Sequence, residues 1–185
     1  MTTKGHHLIL GEVRDFISGK IIPDTHDERY RQKIARFLVD SLGYAREEIN
    51  SSVDLIVQVD NKSAQLKIDF TISLFGKIAM IVKFGPGSLV TRHRPALAIS
   101  RLLSSYQIPF VVVTNGKDSE TLDGFTGKVI FGGIESIPSR KDLLHLLTPL
   151  KVKTIHMEQV EMESRILYAF EVDDSCPCDD NICRL

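Results

Sequence analysis

The stretch LKIDFTISLFGKIAMIVKF, residues 66–84, decides the fold of this chain. Its first nine residues alternate strictly between apolar and polar, which predicts a strand with one buried and one polar face. Residues 78–84 are apolar apart from Lys83, which is typical of a central strand. A turn centred on Gly76 would place Asp69 opposite Lys83, on the same side of an antiparallel pair. The sequence therefore predicts an acid and a lysine that meet on neighbouring strands.

The rest of the chain supplies helices on both sides of these strands. Thr25-His26-Asp27-Glu28 is a capping box that predicts a helix ending at Gly43. Pro95 is tolerated in a first helical turn, so a second helix is expected over 95–106. The order predicts an α/β domain with an αβββαβ core and a mixed central sheet flanked by helices. Further strands are expected at 53–59, 110–114 (parallel) and 128–131, and C-terminal helices at 139–147 and 158–170.

Composition restricts the class of protein. The 185 residues suffice for one domain, predicted to span 1–172, with 173–185 as an acidic, cysteine-containing tail. The net charge of −1 means that attraction to nucleic acid would need a local basic patch. No apolar run of about 18 residues and no leader are apparent, so we expect no membrane contact. All three cysteines fall in the last ten residues, which favours a reducing cytoplasm.

Several motifs in order resemble one protein family. They are Asp24 to Gln32, then Phe37-Leu38-Val39 with Leu42-Gly43-Tyr44, then Asp69 and Lys83, and finally Val113-Thr114-Asn115-Gly116. Over about residues 8–135 the chain resembles the N-terminal domain of type I restriction enzyme R subunits, within the PD-(D/E)XK superfamily. The resemblance implies a restriction-endonuclease-like fold and DNA as the partner, with restriction or repair subunits. A homodimer is left open.

The resemblance also implies a catalytic site. Glu28 and Asp69 would bind Mg²⁺, and Lys83 would orient the nucleophile and stabilise charge on the phosphate during phosphodiester hydrolysis. Hard cations such as Mg²⁺ prefer oxygen ligands, and a bound metal lowers the pKa of water. The family pattern expects an acid two positions before the lysine, and this chain has Ile81 there. Isoleucine has no oxygen with which to bind a metal.

Two functions stay open on these residues. One is a Mg²⁺-dependent nuclease, and the other is a catalytically degenerate module of the same fold that only binds nucleic acid. Asp69 and Lys83 could equally form a structural salt bridge between strands. The capping-box role by itself accounts for Glu28.

A basic segment follows the second of these strands. Its candidate phosphate-binding residues are Ser88, Arg92, His93, Arg94 and Arg101, beside a loop, Gly85-Pro86-Gly87-Ser88, that can offer backbone N–H groups. The alternative is an ordinary solvated start of a helix. The loop matches neither a Walker A motif nor a dinucleotide fingerprint.

The cysteines suggest a third function, that of a thiol–metal protein. Cys176, Cys178 and Cys183 have a spacing that can bind Zn²⁺ or an iron–sulfur cluster. Structural sites of both kinds normally use four ligands, so His156 or another subunit would have to complete the set. The alternative is a flexible tail that its aspartates keep solvated.

Overall fold

The computed structural model describes residues 9–148, 153–173 and 182–184. The strands are β1 (Gly11–Arg14), β2 (Ile21–Asp24), β3 (Ile49–Val59), β4 (Lys62–Leu74), β5 (Lys77–Phe84), β6 (Phe110–Thr114), β7 (Ser119–Asp123), β8 (Val129–Gly132) and β9 (Ile182–Arg184). The helices are α1 (His26–Arg36), α2 (Val90–Leu102), α3 (Arg140–Leu147) and α4 (Met157–Leu167). Single π-helical segments extend α1 (Phe37–Ser41) and α4 (Tyr168–Asp173).

One mixed sheet organises the fold. Its strand order is β3-β4-β5-β6-β7-β8, and β9 pairs with the first half of β4. Strands β5 and β6 are parallel, as predicted, and the other pairs are antiparallel. The predicted order of helix, three strands, helix and strand is present from α1 to β6, so the α/β class with a mixed sheet is confirmed. A separate hairpin, β1–β2, precedes α1.

Two hydrophobic clusters lie on opposite faces of the sheet. Val111 and Val113 of β6 pack with α2 and α4, whereas Phe110 and Val112 pack with α1 and α3. Because neighbouring side chains of a strand point to opposite faces, this division makes a three-layer arrangement with helices on both sides. Within the described ranges, no helix combines the length and the hydrophobicity that a bilayer crossing requires.

Two local predictions were wrong. The polar face predicted for β4 is covered at Asp69 and Thr71, which are buried, although Lys67 on the same face is exposed. Helix α2 begins at Val90, five residues before Pro95, so the proline lies inside the helix rather than in its first turn. Proline removes one backbone hydrogen bond there. The helix nevertheless continues because Ala96, Ala98 and Ile99 fill the core below it.

Candidate functional site

The candidate site lies beside the carboxyl ends of the parallel strands β5 and β6, where Lys83 of β5 meets Asp69 of β4. The β4–β5 hairpin has a two-residue turn, Phe75-Gly76, in which both residues have positive φ (53° and 74°). This turn alone would shift the pairing by one residue. A bulge at Ala79, where Ile72 pairs with Met80 and Ser73 with Ile78, restores the predicted register.

That register brings the predicted acid and lysine together. Phe70 lies opposite Val82, so one further step along the ladder brings Asp69 to Lys83. Lys83 Nζ is 3.9 Å from Asp69 Oδ2. The predicted proximity of the two side chains is confirmed, while their catalytic role remains a prediction.

Asp69 is held by two donors in addition to Lys83. Its Oδ1 accepts a hydrogen bond from Arg31 Nε at 2.5 Å, and its Oδ2 accepts one from the Phe84 backbone N–H at 2.9 Å. The Asp69 side chain is only 3% exposed. Both carboxylate oxygens are therefore already satisfied by the protein.

Arg31 contacts both Asp69 and Glu28, the predicted metal ligand on α1. Its NH1 is 3.6 Å from Glu28 Oε2, and its guanidinium lies 5.6 Å from the centre of the Phe84 ring. Burial would lower the pKa of Arg31, but the carboxylates of Asp69 and Glu28 outweigh that effect and raise it. Arg31 is thus a fixed positive charge between the two predicted metal ligands.

Lys83 has a second carboxylate partner. Its Nζ lies 3.4 Å from Glu171 Oε2, on the π-helical segment that extends α4. Burial alone would lower the pKa of Lys83, but Asp69 and Glu171 together raise it. The lysine is therefore held in its charged form and can act as a cation rather than as a base.

Glu28 belongs to a hydrogen-bond network that continues to the N-terminal hairpin. Its backbone N–H donates to the N-cap Thr25 Oγ1 at 3.1 Å, which confirms Thr25 as the cap, whereas the Glu28 carboxylate contacts Gln32 and Arg31. Gln32 Nε2 donates to Glu28 Oε1 at 2.7 Å and to Asp15 Oδ1 at 2.9 Å. The network therefore orients the Glu28 carboxylate toward Arg31.

These contacts do not fit a Mg²⁺ site. Arg31 occupies the space between the Glu28 and Asp69 carboxylates that a bridging cation would need, and Ile81 is fully buried in the core. In the described part of the chain, no group of three or more His, Cys, Asp or Glu side chains could hold a metal. Magnesium binding therefore stays a prediction that this arrangement does not favour.

The predicted phosphate-binding residues separate into two groups. Arg94 NH1 and Arg101 NH1 bind the two oxygens of Glu163 at 2.6 and 2.5 Å, and Glu163 is fully buried between α2 and α4. His93 contacts Glu120. Three of the five predicted residues are thus already engaged by acids.

Arg92 and Ser88 remain at the loop before α2. The Arg92 guanidinium lies against Gly85, where an added Cβ would come within 2.9 Å of its Nε, and its NH2 is 3.4 Å from the Pro86 carbonyl oxygen. The Ser88 carbonyl accepts a hydrogen bond from Thr91 Oγ1. The role of all five residues in nucleic-acid binding stays a prediction.

An aromatic pair packs beside the carboxyl ends of β5 and β6. Tyr30 of α1 stacks on Phe84 with ring centres 5.6 Å apart. Gly116, at φ +82°, lies so close that an added Cβ would be 2.5 Å from Tyr30 Cδ1. The Asn115-Gly116 motif therefore leaves room for the aromatic ring of α1 beside the loop.

The cysteine prediction falls mostly outside the described residues. Cys176 and Cys178 are not among them. The backbone of Cys183 is described within β9, where it pairs with Gln65 of β4. The thiol–metal hypothesis thus stays a prediction.

A comparison with protein families matches residues 26–138 to the type I restriction enzyme R protein N terminus. The match spans more than half of the chain, from α1 to the residue before the α3 cap. The chain belongs to this family. The predicted resemblance is confirmed. Neither the curated proteins nor the solved structures include a match.

Sequence reasoning missed two residues of this type I R-protein N-terminal domain. Arg31 lies three residues after Glu28, which puts both on one helix face, but nothing in the local sequence connects it to Asp69. Glu171 lies beyond the family match and more than 80 residues after Lys83, so no local pattern could connect them. Only the folded chain brings these two charges to Asp69 and Lys83.

Proposed function

We infer that this chain is a DNA-engaging domain of a restriction-related system, with a restriction-endonuclease-like core that binds nucleic acid without cleaving it. The observation that carries this proposal is the Arg31 guanidinium between Glu28 and Asp69. Family membership supports the restriction context, in which the domain would act in the cytoplasm with other subunits. The buried Ile81 supports the loss of a metal site.

The local charges suit binding better than hydrolysis. Arg31 and Lys83 are permanent cations beside the carboxyl ends of β5 and β6, an edge where α/β sheets commonly bind ligands. Guanidinium and ammonium groups donate charge-assisted hydrogen bonds to phosphate as they do to carboxylate. Binding at this edge would therefore need no metal.

Mg²⁺-dependent phosphodiester hydrolysis is the second candidate. The 3.9 Å separation of Lys83 and Asp69 favours it, because the resemblance implies these two residues as the lysine and the strand acid of a nuclease. Arg31 would have to leave Asp69 before that carboxylate could bind a cation.

A cleavage assay distinguishes the two. Supercoiled plasmid and single-stranded DNA are incubated with the protein in Mg²⁺ or Mn²⁺, beside the variants Asp69→Ala and Lys83→Ala. We expect intact DNA throughout and salt-sensitive binding of duplex DNA in EDTA. Cleavage that disappears in both variants would establish the nuclease instead. Cleavage that survives both would point to a contaminating enzyme.

The thiol–metal alternative is tested separately. Elemental analysis after anaerobic purification would find zinc or iron at about one equivalent per chain if the three cysteines bind metal. A metal-free protein would leave that alternative unsupported.

A further inference from the structure

The charges of five described arginines are neutralised locally. Arg29, Arg31, Arg94, Arg101 and Arg140 each lie within 4 Å of a carboxylate oxygen. These contacts include two of the arginines that the sequence suggested for phosphate binding. We therefore expect the main nucleic-acid surface, to which the edge at Arg31 and Lys83 would add, among cations that no acid holds.

Three exposed cations on or beside α1 meet that condition. Lys33 Nζ lies 5.2 Å from the centre of the Tyr30 ring. Arg36 and Arg46 place their guanidinium carbons 5.4 and 4.0 Å from the centre of the Phe16 ring. Within the described part of the chain, none of the three is in an ion pair, and we call them the α1 basic face.

Helix geometry explains why these cations share a surface. The apolar residues Ile34, Ala35 and Leu38 turn one side of α1 into the core. Lys33 and Arg36, three residues apart, then lie together on the outer side. The short 3₁₀ turn that begins at Arg46 brings the third cation to the same aromatic ring as Arg36.

We propose that the α1 basic face binds the phosphate backbone of duplex DNA. Cations held over aromatic rings keep their full charge and remain free to donate hydrogen bonds to phosphate. Lys33 and Arg36 are about 4.5 Å apart along the helix axis, close to the 3.4 Å axial spacing of phosphates along one DNA strand. Exposed acids at Asp40, four residues after Arg36, and at Glu47, next to Arg46, limit the charge of this surface.

The α1 basic face is continuous with the candidate site. Tyr30, which Lys33 covers, stacks on Phe84, and Phe84 follows Lys83 at the end of β5. A duplex lying along α1 would thus reach the edge that holds Arg31 and Lys83. An anionic membrane is a poorer partner, because the apolar side of α1 is buried in the core and cannot insert into lipid.

The inference rests on the proposed engagement of DNA and is tested by the salt dependence of binding. The intact chain, as wild type and as Lys33→Gln/Arg36→Gln/Arg46→Gln, is titrated with fluorescent duplex DNA over a range of salt concentrations. We expect the triple variant to bind more weakly, with the slope of log K against log salt reduced by about 3.

Two further variants control for charge and folding. Lys62→Gln/Lys77→Gln/Lys128→Gln removes the same charge elsewhere, and Lys62 and Lys77 also lie over aromatic rings, those of Tyr168 and Tyr106. This variant should keep the wild-type slope. A charge-conserving variant, Lys33→Arg/Arg36→Lys/Arg46→Lys, should restore binding.

The outcomes distinguish a failure of the proposed surface from a failure of the proposed function. Wild-type binding that the α1 triple variant retains would overturn the α1 basic face and leave the proposed function intact. Equal losses in the α1 triple variant and in the distant triple variant would also overturn it, because binding would then follow net charge alone. A wild-type chain that binds no duplex DNA would overturn both.

Discussion

Two buried carboxylates in this molecule each hold two cationic side chains, yet their surroundings differ. Glu163 lies between α2 and α4, fully buried, with one arginine on each oxygen. Asp69 lies on the inner strand β4, close to the carboxyl end of β5, and it shares Arg31 with Glu28 and Lys83 with Glu171. The first cluster joins two helices, whereas the second lies beside the carboxyl ends of β5 and β6.

The comparison shows that chemistry alone does not identify a site. Both clusters consist of acids and basic side chains in short contact, two arginines at Glu163 and one arginine and one lysine at Asp69. Position distinguishes them, because Glu163 lies between two packed helices, whereas the Asp69 cluster lies beside the carboxyl ends of β5 and β6, where α/β sheets commonly bind ligands. We therefore expect changes at Glu163 to alter stability and changes at Asp69 to alter binding.

The largest expected effect is on stability. Glu163→Ala leaves Arg94 and Arg101 without their partner, and we expect the free energy of unfolding to fall by about 3 kcal/mol. Urea denaturation measures this, with the exposed Glu161→Ala on the same helix as control. DNA affinity of the folded variant should be unchanged. A loss of affinity would mean that the α2–α4 cluster contributes to the binding surface.

At Asp69 the expected change is a gain in binding. Asp69→Asn removes the charge that neutralises Arg31 and Lys83, so the salt slope for duplex DNA should become steeper by about 1. The unfolding free energy should fall by about 2 kcal/mol, because two buried cations lose a partner. An unchanged slope would show that no phosphate reaches these cations.

Gly116→Ala tests the contact between α1 and the β6 loop. The new methyl group would collide with Tyr30, and we expect a loss of about 2 kcal/mol in unfolding free energy. Gly43→Ala is the matched control, since Gly43 has a similar φ of +75° but open space around it. It should cost about 1 kcal/mol. Equal losses at both positions would mean that Tyr30 gives way without cost.

The smallest expected effect is on the acid side of the stability profile. Burial raises the pKa of Asp15, but hydrogen bonds from Gln32, Ser18 and Ser51 outweigh it and leave the pKa below the usual 3.8. The folded state therefore binds protons less readily than the unfolded state. The stabilisation that ionised Asp15 contributes is present above pH 3.8 and is lost as the pH falls through the lowered pKa of the folded state.

Asp15→Asn provides the measurement for that effect. We expect this variant to lose less stability than the wild type between pH 7 and pH 3, as measured by urea midpoints. The pH dependence that Lys83 contributes has the opposite sign. Its pKa is raised above 10.5, so its contribution to stability is lost only in strong alkali, as the pH rises. Parallel profiles for wild type and Asp15→Asn would contradict the assignment.

Much of the central sheet could be predicted from local pattern. The alternation in β4 and the apolar run in β5 gave the strand pair, and Asp69 does meet Lys83. The turn was predicted to centre on Gly76, but the real turn is Phe75-Gly76 and the bulge at Ala79 corrects the offset. Two departures cancel here, and neither leaves a distinct pattern in the sequence.

Other features depend on the tertiary structure. Strand β7 has no apolar pattern in the sequence. Its buried hydroxyl groups are tolerated because they donate hydrogen bonds to distant carbonyls, Ser119 to Gly133 and Thr121 to Ser136. The basic segment after β5 suggested phosphate binding, but Glu163, more than 60 residues away, holds two of its arginines. A charged residue can be assigned a role only once its partners are known.

Binding of duplex DNA in EDTA and in Mg²⁺ tests the central claim most directly, with fluorescence anisotropy and gel analysis on the same samples. We predict the same affinity with and without the divalent cation, and DNA that stays intact in both. Binding or cleavage that appears only with Mg²⁺ would contradict the account, because it would mean that a metal, rather than Arg31, completes this site.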